Sequence, residues 1–225
     1  MKPIHPQDHA MMAAPAGTKL ESLAKVTVLV ADTGELDAIR RLKPVDCTTN
    51  PTLLLKAAGS AEGKPLLEEA VAWGRGQSGS AESIVAAVCD RFTVALGAAL
   101  SELVPGRVST EVDADLSFDT AKTVEKARAL IKAYDSRGVG QDRILIKIAS
   151  TWEGIQAAKE LQREGIDCNL TLMFSSAQAV AAAQAGAFLI SPFVGRILDW
   201  HVKAGGGPYT AETDPGVLFV RTVHE

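Results

Sequence analysis

The feature that most constrains the fold is a regular alternation of short β-like segments with longer helical ones. Runs that contain Val, Ile or Leu predict strands at 26–31, 108–112, 143–149, 167–173 and 187–191, and a further short strand is predicted at 47–49. Helical patterns occur between and after these strands. One helix is predicted to begin at Pro51, and the others are predicted at 35–42, 65–74, 81–103, 120–134, 151–164, 175–185 and 194–202. Strand-then-helix order implies parallel strands joined by right-handed crossovers, and six such units can be counted.

Two α/β architectures have this order: an open doubly wound sheet, and most of an eight-unit barrel. A glycine-rich phosphate loop would favour the open sheet, but neither G-x-G-x-x-G nor G-x-x-x-x-G-K-[ST] follows the first predicted strand. We therefore predict the α/β class and a TIM-type (β/α)8 barrel, of which this chain contains about six units.

Composition narrows the possible partners. The 47% hydrophobic and 22% charged residues are ordinary for a globular protein. A net charge of −4 and 5% aromatic residues argue against a nucleic-acid partner. The odd number of cysteines, three, without C-x-x-C spacing, argues against a disulfide scaffold or a zinc site. We expect a cytoplasmic protein.

Two segments bear on targeting and membranes. Residues 1–17 lack the basic start and apolar core of a secretion signal, so we expect a loose tail there. Residues 168–195 carry no charge and are long enough to span a bilayer. Polar residues interrupt this segment and Pro192 lies near its end, so we expect a buried strand–helix–strand unit and no membrane partner.

Lys147 is the most informative residue, because it lies in the middle of an apolar strand. Side chains alternate across a strand, so Lys147 shares a face with Leu145 and Ala149 while isoleucines form the other face. A charged amine there is costly unless it is paired. Two interpretations remain open: a structural pair with a carboxylate, or an amine whose pKa is lowered by desolvation and which attacks carbonyls.

Other polar residues occupy comparable positions at the ends of the predicted strands. They are Asp32, Thr48, Asn50, Glu111, Asn169, Thr171 and Ser191. Any one of them has a simpler structural role, such as capping a helix, but in a barrel such strand ends converge on the catalytic mouth. Together they indicate Schiff-base chemistry in which carboxylates move protons. Arg196 opens the helix after the sixth strand and is either a phosphate ligand or a solvated side chain.

These segments resemble the transaldolases. Asp46 to Leu53 (DCTTNPTL) is similar to the family's first signature, and Arg143 to Gly154 (RILIKIASTWEG) to the signature around its Schiff-base lysine. Four further segments are also similar: ADTG at 31–34, STEVD at 109–113, CNLTL at 168–172 and ISPFVGRILDW at 190–200. The resemblance extends from Thr18 to Val217 without large gaps.

The resemblance implies transfer of a dihydroxyacetone unit from a ketose phosphate to an aldose phosphate. Lys147 would attack the ketone, Glu111 would move protons through a water held with Thr171, and Asp32 would be the base for carbon–carbon cleavage. No metal or organic cofactor is implied, and the substrates would be sugar phosphates. The residues implied in substrate binding are Thr48, Asn50, Asn169, Ser191, Phe193 and Arg196.

The chain also departs from the family pattern. Residues 218–225 do not resemble the expected next helix, so we expect a barrel domain at 18–217, a divergent tail, and two missing strands. A truncated gene product or a shifted reading frame would explain this, and would leave the first and sixth strands as open edges. The alternatives are an aldolase that releases the three-carbon unit to water, an inactive remnant, and a sugar-phosphate-binding or interaction protein. A homodimer is compatible with the resemblance.

Overall fold

The computed structural model describes residues 17–225. The predicted N-terminal tail therefore lies outside the described residues, apart from Gly17. Six parallel strands form one sheet whose spatial order follows the chain order, as strand-then-helix alternation predicts. The described chain divides into two compact units. The first contains residues up to 111 together with 130–144, and the second contains 112–129 and 145–225.

The first unit contains three strands and the helices that follow them. Its strands are β1 (Val30–Asp32), β2 (Asp46–Thr48) and β3 (Val108–Glu111). Its helices are α1 (Lys19–Ala24), α2 (Leu36–Leu42), α3 (Pro51–Ala58), α4 (Gly63–Gly74), α5 (Ala81–Ser101) and residues 130–135 of α6 (Thr120–Asp135). β1 pairs with β2 and β2 with β3, so that Asp32 aligns with Thr48 and Thr48 with Ser109.

The core of the first unit lies around the C-terminal half of α5. Leu96 and Leu100 of this helix are fully buried, as are Ile39 and Tyr134. The Tyr134 hydroxyl lies 2.6 Å from the Thr110 hydroxyl on β3. Burial of these side chains removes apolar surface from water and is the main source of stability for this packing.

Arg143, which precedes the fourth strand, holds the segment that follows α5. Its guanidinium donates to the carbonyl oxygens of Ser101, Val104 and Gly106 at 2.7–2.8 Å. These carbonyls come at and after the C-terminus of a helix, where backbone acceptors lack intrahelical donors. One side chain thereby fixes the segment leading into β3.

The second unit contains the other three strands. They are β4 (Ile144–Ala149, in this unit from Leu145), β5 (Cys168–Met173) and β6 (Leu189–Pro192). Its helices are residues 120–129 of α6, α7 (Trp152–Arg163), α8 (Ser176–Ala185), α9 (Val194–Lys203) and α10 (Pro215–His224). Along β4, Ile146 and Ile148 are buried on one face, and Leu161 of α7 is buried with them in the core of this unit.

The sequence-predicted elements differ from the structure at β1, α1 and α10. β1 is shorter than predicted, because Val26 and Thr27 donate backbone hydrogen bonds to Leu23 and continue the turn that ends α1. α1 and α10 were not among the predicted helices. α10 covers most of the predicted divergent tail, and the boundaries of the domain and the tail stay predictions. Residues 168–195 form a strand–helix–strand unit followed by the start of α9, as expected.

Among the described residues, α5 is one helix that by length and composition could cross a membrane. The C-terminal half of α5 is buried within the first unit. Near its middle, Arg91 forms an ion pair with Glu69 of α4 and lies over the Trp73 ring. A charged side chain held by a neighbouring helix is typical of a packed core helix, and this is how we interpret α5.

Candidate functional site

Lys147 lies on β4 in the second unit and is only 7% exposed. The strand register aligns Lys147 with Asn169 of β5. Two residues further along β4, Ala149 aligns with Thr171. Residues two apart on a strand share a face, so Lys147, Asn169 and Thr171 lie on one face of the sheet. The buried amine therefore has polar neighbours on the adjacent strand.

Asn169 and Ser191 are brought together on this face. The Ser191 hydroxyl on β6 donates to Asn169 Oδ1 at 2.7 Å, and Asn169 is fully buried. This hydrogen bond orients the Asn169 amide, because the end of the group that accepts from Ser191 must be the oxygen. The amide nitrogen is then the donor end of the group.

Thr171 is the unusual polar residue of this unit. Its side chain is 1% exposed, and its hydroxyl oxygen has no hydrogen-bond partner in the structure. Buried hydroxyls almost always have a partner, because an unpaired one loses its hydration without compensation. An orphan hydroxyl on the same face as a buried lysine is the strongest local indication of a ligand site.

The end of β5 and the start of α9 carry two aromatic rings and a cation. Phe193 packs edge-to-face on Phe174, with ring centroids 5.6 Å apart. The Arg196 guanidinium, on exposed α9, lies 5.6 Å from the centre of the Phe193 ring. This cation–π contact orients Arg196 at the N-terminus of a helix, where backbone N–H groups also favour anions.

In the first unit, the structure brings Asp32 and Thr48 together. The Thr48 hydroxyl donates to Asp32 Oδ1 at 2.6 Å, across the β1–β2 pair in which these two residues are aligned. Asp32 is exposed at the carboxyl end of its strand. The hydrogen bond restricts the carboxylate to one orientation and leaves Oδ2 as its second acceptor.

Asn50 and Glu111 occupy the ends of β2 and β3 in the same unit. Asn50 is the N-cap of α3, with its Oδ1 accepting from the Leu53 backbone N–H at 3.0 Å. This is the structural role that a lone strand-end asparagine was expected to have, and it engages only the acceptor of the amide. Glu111 is the last residue of β3 and is half-buried.

Sequence reasoning missed two residues at the strand ends of the second unit. Ser150, directly after β4, donates through both its backbone N–H and its hydroxyl to the Thr171 carbonyl oxygen. Gln178 completes a capping box with Ser175 at the start of α8. The S-x-x-Q spacing of this box was a readable signal. The contact of Ser150 with Thr171 had none, because it depends on strand register.

Comparison with known proteins assigns the family. The sequence model of the family described as Transaldolase/Fructose-6-phosphate aldolase matches residues 29–225. This match covers most of the chain, and the chain belongs to this family. The six β/α units are accordingly about six of the eight units of a TIM-type barrel, as the sequence predicted.

Relatives named transaldolase are similar over most of this chain. The transaldolases of Agrobacterium fabrum and Rhizobium rhizogenes are each 63% identical over 207 residues, which is 92% of this chain. The transaldolase of Xanthomonas euvesicatoria is 58% identical over 215 residues, or 95% of this chain. The chain spans 64% of the length of the first two relatives and 66% of the third.

Proposed function

We propose that this protein transfers a dihydroxyacetone unit between sugar phosphates through a Schiff base on Lys147. The observation that carries the proposal is the face of the second unit. There a buried lysine adjoins a buried, oriented amide and a buried hydroxyl that has no partner. Membership of the family and relatives named transaldolase support the same chemistry. We also place the protein in the cytoplasm and leave a homodimer as a further proposal.

The first step joins the Lys147 amine to the ketone of fructose 6-phosphate or sedoheptulose 7-phosphate. Nitrogen attacks the carbonyl carbon to give a carbinolamine, and loss of water gives the protonated imine. In the complex with substrate, the Thr171 hydroxyl would hold the water that carries protons, which would provide the partner it lacks within the protein. By resemblance, Glu111 would exchange protons with that water. The amide nitrogen of Asn169 would hold a substrate hydroxyl.

The second step breaks a carbon–carbon bond. Asp32 would take the proton of the hydroxyl beside that bond, and the bonding electrons would move into the imine to leave an enamine. Thr48 would be a positioning residue, because its hydrogen bond orients Asp32. The aldose phosphate leaves, and the enamine attacks the acceptor aldehyde in the reverse sense. The protonated imine is the electron sink, so the proposal includes no metal or organic cofactor.

The phosphate end of the substrate would meet Arg196. Its contact with Phe193 and its place at the start of α9 give a fixed cation beside backbone N–H groups. Asn50 would donate its Nδ2 to a substrate hydroxyl, because its cap uses only Oδ1. Ser191 would line the site by holding Asn169.

The second candidate is an aldolase that releases the three-carbon unit to water. The family description, which includes fructose-6-phosphate aldolase, favours keeping it. The two candidates share the Lys147 adduct and differ in what consumes the enamine. A requirement for an acceptor aldose phosphate identifies the transferase, and turnover without one identifies the aldolase.

The test is borohydride trapping with fructose 6-phosphate, read by intact-mass and peptide mass spectrometry. The wild-type chain should gain one reduced adduct, located on Lys147. Lys147→Met should gain none, whereas Lys159→Met, which removes an exposed lysine of α7, should gain the adduct at the wild-type rate. A wild-type chain that is folded by circular dichroism and gains no adduct would contradict the proposal and favour the inactive alternative.

A further inference from the structure

Gln178 makes more contacts than its place in a helix cap requires. Its Oε1 accepts from the backbone N–H groups of Phe174 and Ser175 at 2.9 and 3.1 Å, and from the Ser175 hydroxyl at 3.2 Å. Its Nε2 donates to the carbonyl oxygens of Ser150 at 2.8 Å and Leu172 at 3.2 Å. The acceptor end completes the capping box of α8, and the donor end has no part in that cap.

The two carbonyl groups that Nε2 contacts lie at the carboxyl ends of adjacent strands. Ser150 follows β4, and its N–H and hydroxyl both bond to the Thr171 carbonyl oxygen, at 2.8 and 2.6 Å. A chain of hydrogen bonds therefore runs from Thr171 through Ser150 to Gln178, and Gln178 returns to β5 at Leu172. These hydrogen bonds connect the C-terminal ends of β4, which carries Lys147, and β5, which carries Thr171.

The backbone of Leu172 shows why the hydrogen bond from Gln178 matters for the site. Its φ is +55°, in the left-handed region that residues other than glycine rarely adopt. The β5–β6 register shifts at the same place, between Leu170 and Met173. A strained residue persists only where its surroundings hold it. The bond from Gln178 to the Leu172 carbonyl oxygen holds the residue next to the orphan hydroxyl of Thr171.

We propose that Gln178 is a positioning residue that, through its side-chain N–H donors, fixes the ends of β4 and β5 and thereby the Thr171 hydroxyl relative to Lys147. The inference rests on the proposed Schiff-base function, in which that hydroxyl holds the proton-carrying water. Gln178 itself is half-buried at the start of α8 and acts through Ser150 and Leu172.

The substitution Gln178→Glu tests the donor function of the side chain separately from its acceptor function. Glutamate keeps the acceptor and completes the Ser-x-x-Glu form of the capping box, so α8 should remain intact. The ionised carboxylate, however, faces two carbonyl oxygens that it cannot donate to. We expect borohydride-trapped adduct on Lys147 to form about 10- to 100-fold more slowly at neutral pH, which is the effect of a small misplacement of reacting groups.

Lowering the pH provides the diagnostic readout. The facing carbonyl oxygens favour the protonated carboxyl group, whereas the N–H groups of Phe174 and Ser175 and the N-terminus of α8 favour the ionised one, so protonation should require acidification below neutral pH. Once protonated, its O–H can donate to Ser150 again, and the variant-to-wild-type rate ratio should rise towards one on acidification. Gln184→Glu is the matched control, because Gln184 is exposed on the same helix. Its rate ratio should stay near one at all pH values.

A second measurement keeps this inference distinguishable from the proposed function. Amide hydrogen exchange should be faster at 172–173 in Gln178→Glu than in the wild type, with no change in Gln184→Glu. If the wild type forms no adduct, the proposed function fails and the catalytic part of the inference fails with it. Wild-type adduct with an unchanged Gln178→Glu rate, or a loss independent of pH, would overturn the positioning role alone. So would a Gln178→Glu chain that is unfolded.

Discussion

Replacing Thr171 by valine should make the protein more stable and less reactive at the same time. The hydroxyl is buried without a partner, on the face that carries Lys147. Valine has nearly the shape of threonine, with a methyl group in place of the hydroxyl. The substitution therefore removes a desolvated polar group without opening a cavity.

The structure sets the size of both effects. A buried unsatisfied hydroxyl costs about 1–3 kcal/mol, so Thr171→Val should raise the free energy of unfolding by about 1 kcal/mol. For a chain of this length that corresponds to about 2–4 °C in the unfolding midpoint. Thr171→Ser keeps the hydroxyl and loses a buried methyl group, which should lower the free energy of unfolding by about 1 kcal/mol.

Urea unfolding and borohydride trapping measure the two effects on the same preparations. The stability order should be Val, Thr, Ser from high to low. Adduct formation should be near wild type in Thr171→Ser and lower by about 10²-fold in Thr171→Val, which loses a group that handles the transferred proton. A Thr171→Val chain less stable than Thr171→Ser would show that the hydroxyl is satisfied in the folded protein, and the reasoning would be refuted.

Two further predictions concern the packing of the first unit and the thiols. Gly97→Ala would place a methyl group in steric conflict with the Tyr134 hydroxyl in the core, so the free energy of unfolding in urea should fall by about 2 kcal/mol. Iodoacetamide should add one label to the native chain, at exposed Cys89, and three in urea, as counted by intact mass. Burial raises the pKa of Cys47 and of Cys168 to about 12, so neither supplies thiolate in the native state.

The controls use other positions of the same residue type. Gly195→Ala adds a methyl group to α9 where nothing lies within 4 Å, so it should raise stability by about 0.5–1 kcal/mol through helix propensity. Equal effects at Gly97 and Gly195 would contradict the packing argument. Two or three labels on the native chain would contradict the burial of the thiols.

Several features of the fold could be predicted because their causes are local. The six strands and the helices between them follow from hydrophobic periodicity, and their predicted order matches the sheet. Asn50 followed by Pro51 predicted the start of α3, where the structure has a capped N-terminus. α1 was missed although Thr18 caps it and its first turn contains Glu21, because the helix is only six residues long.

The site was predictable only in part. Strand alternation placed Lys147 on a polar face, and the transaldolase resemblance added roles for Asp32 and Glu111 that stay predictions. The alternation could not show that Thr48 bonds to Asp32 or Ser191 to Asn169, because each pair joins separate strands. Such contacts depend on register, and a shift of one residue would turn every side chain to the opposite face.

The sequence by itself determined the element order, the strand that carries the lysine and the family signatures, since each depends on neighbours along the chain. The tertiary structure decided which polar groups are satisfied. It leaves the Thr171 hydroxyl without a partner and gives Gln178 two carbonyl groups from different strand ends. Hydrogen-bond satisfaction is a property of a three-dimensional neighbourhood, and the distant segments that create it meet only when the sheet has formed.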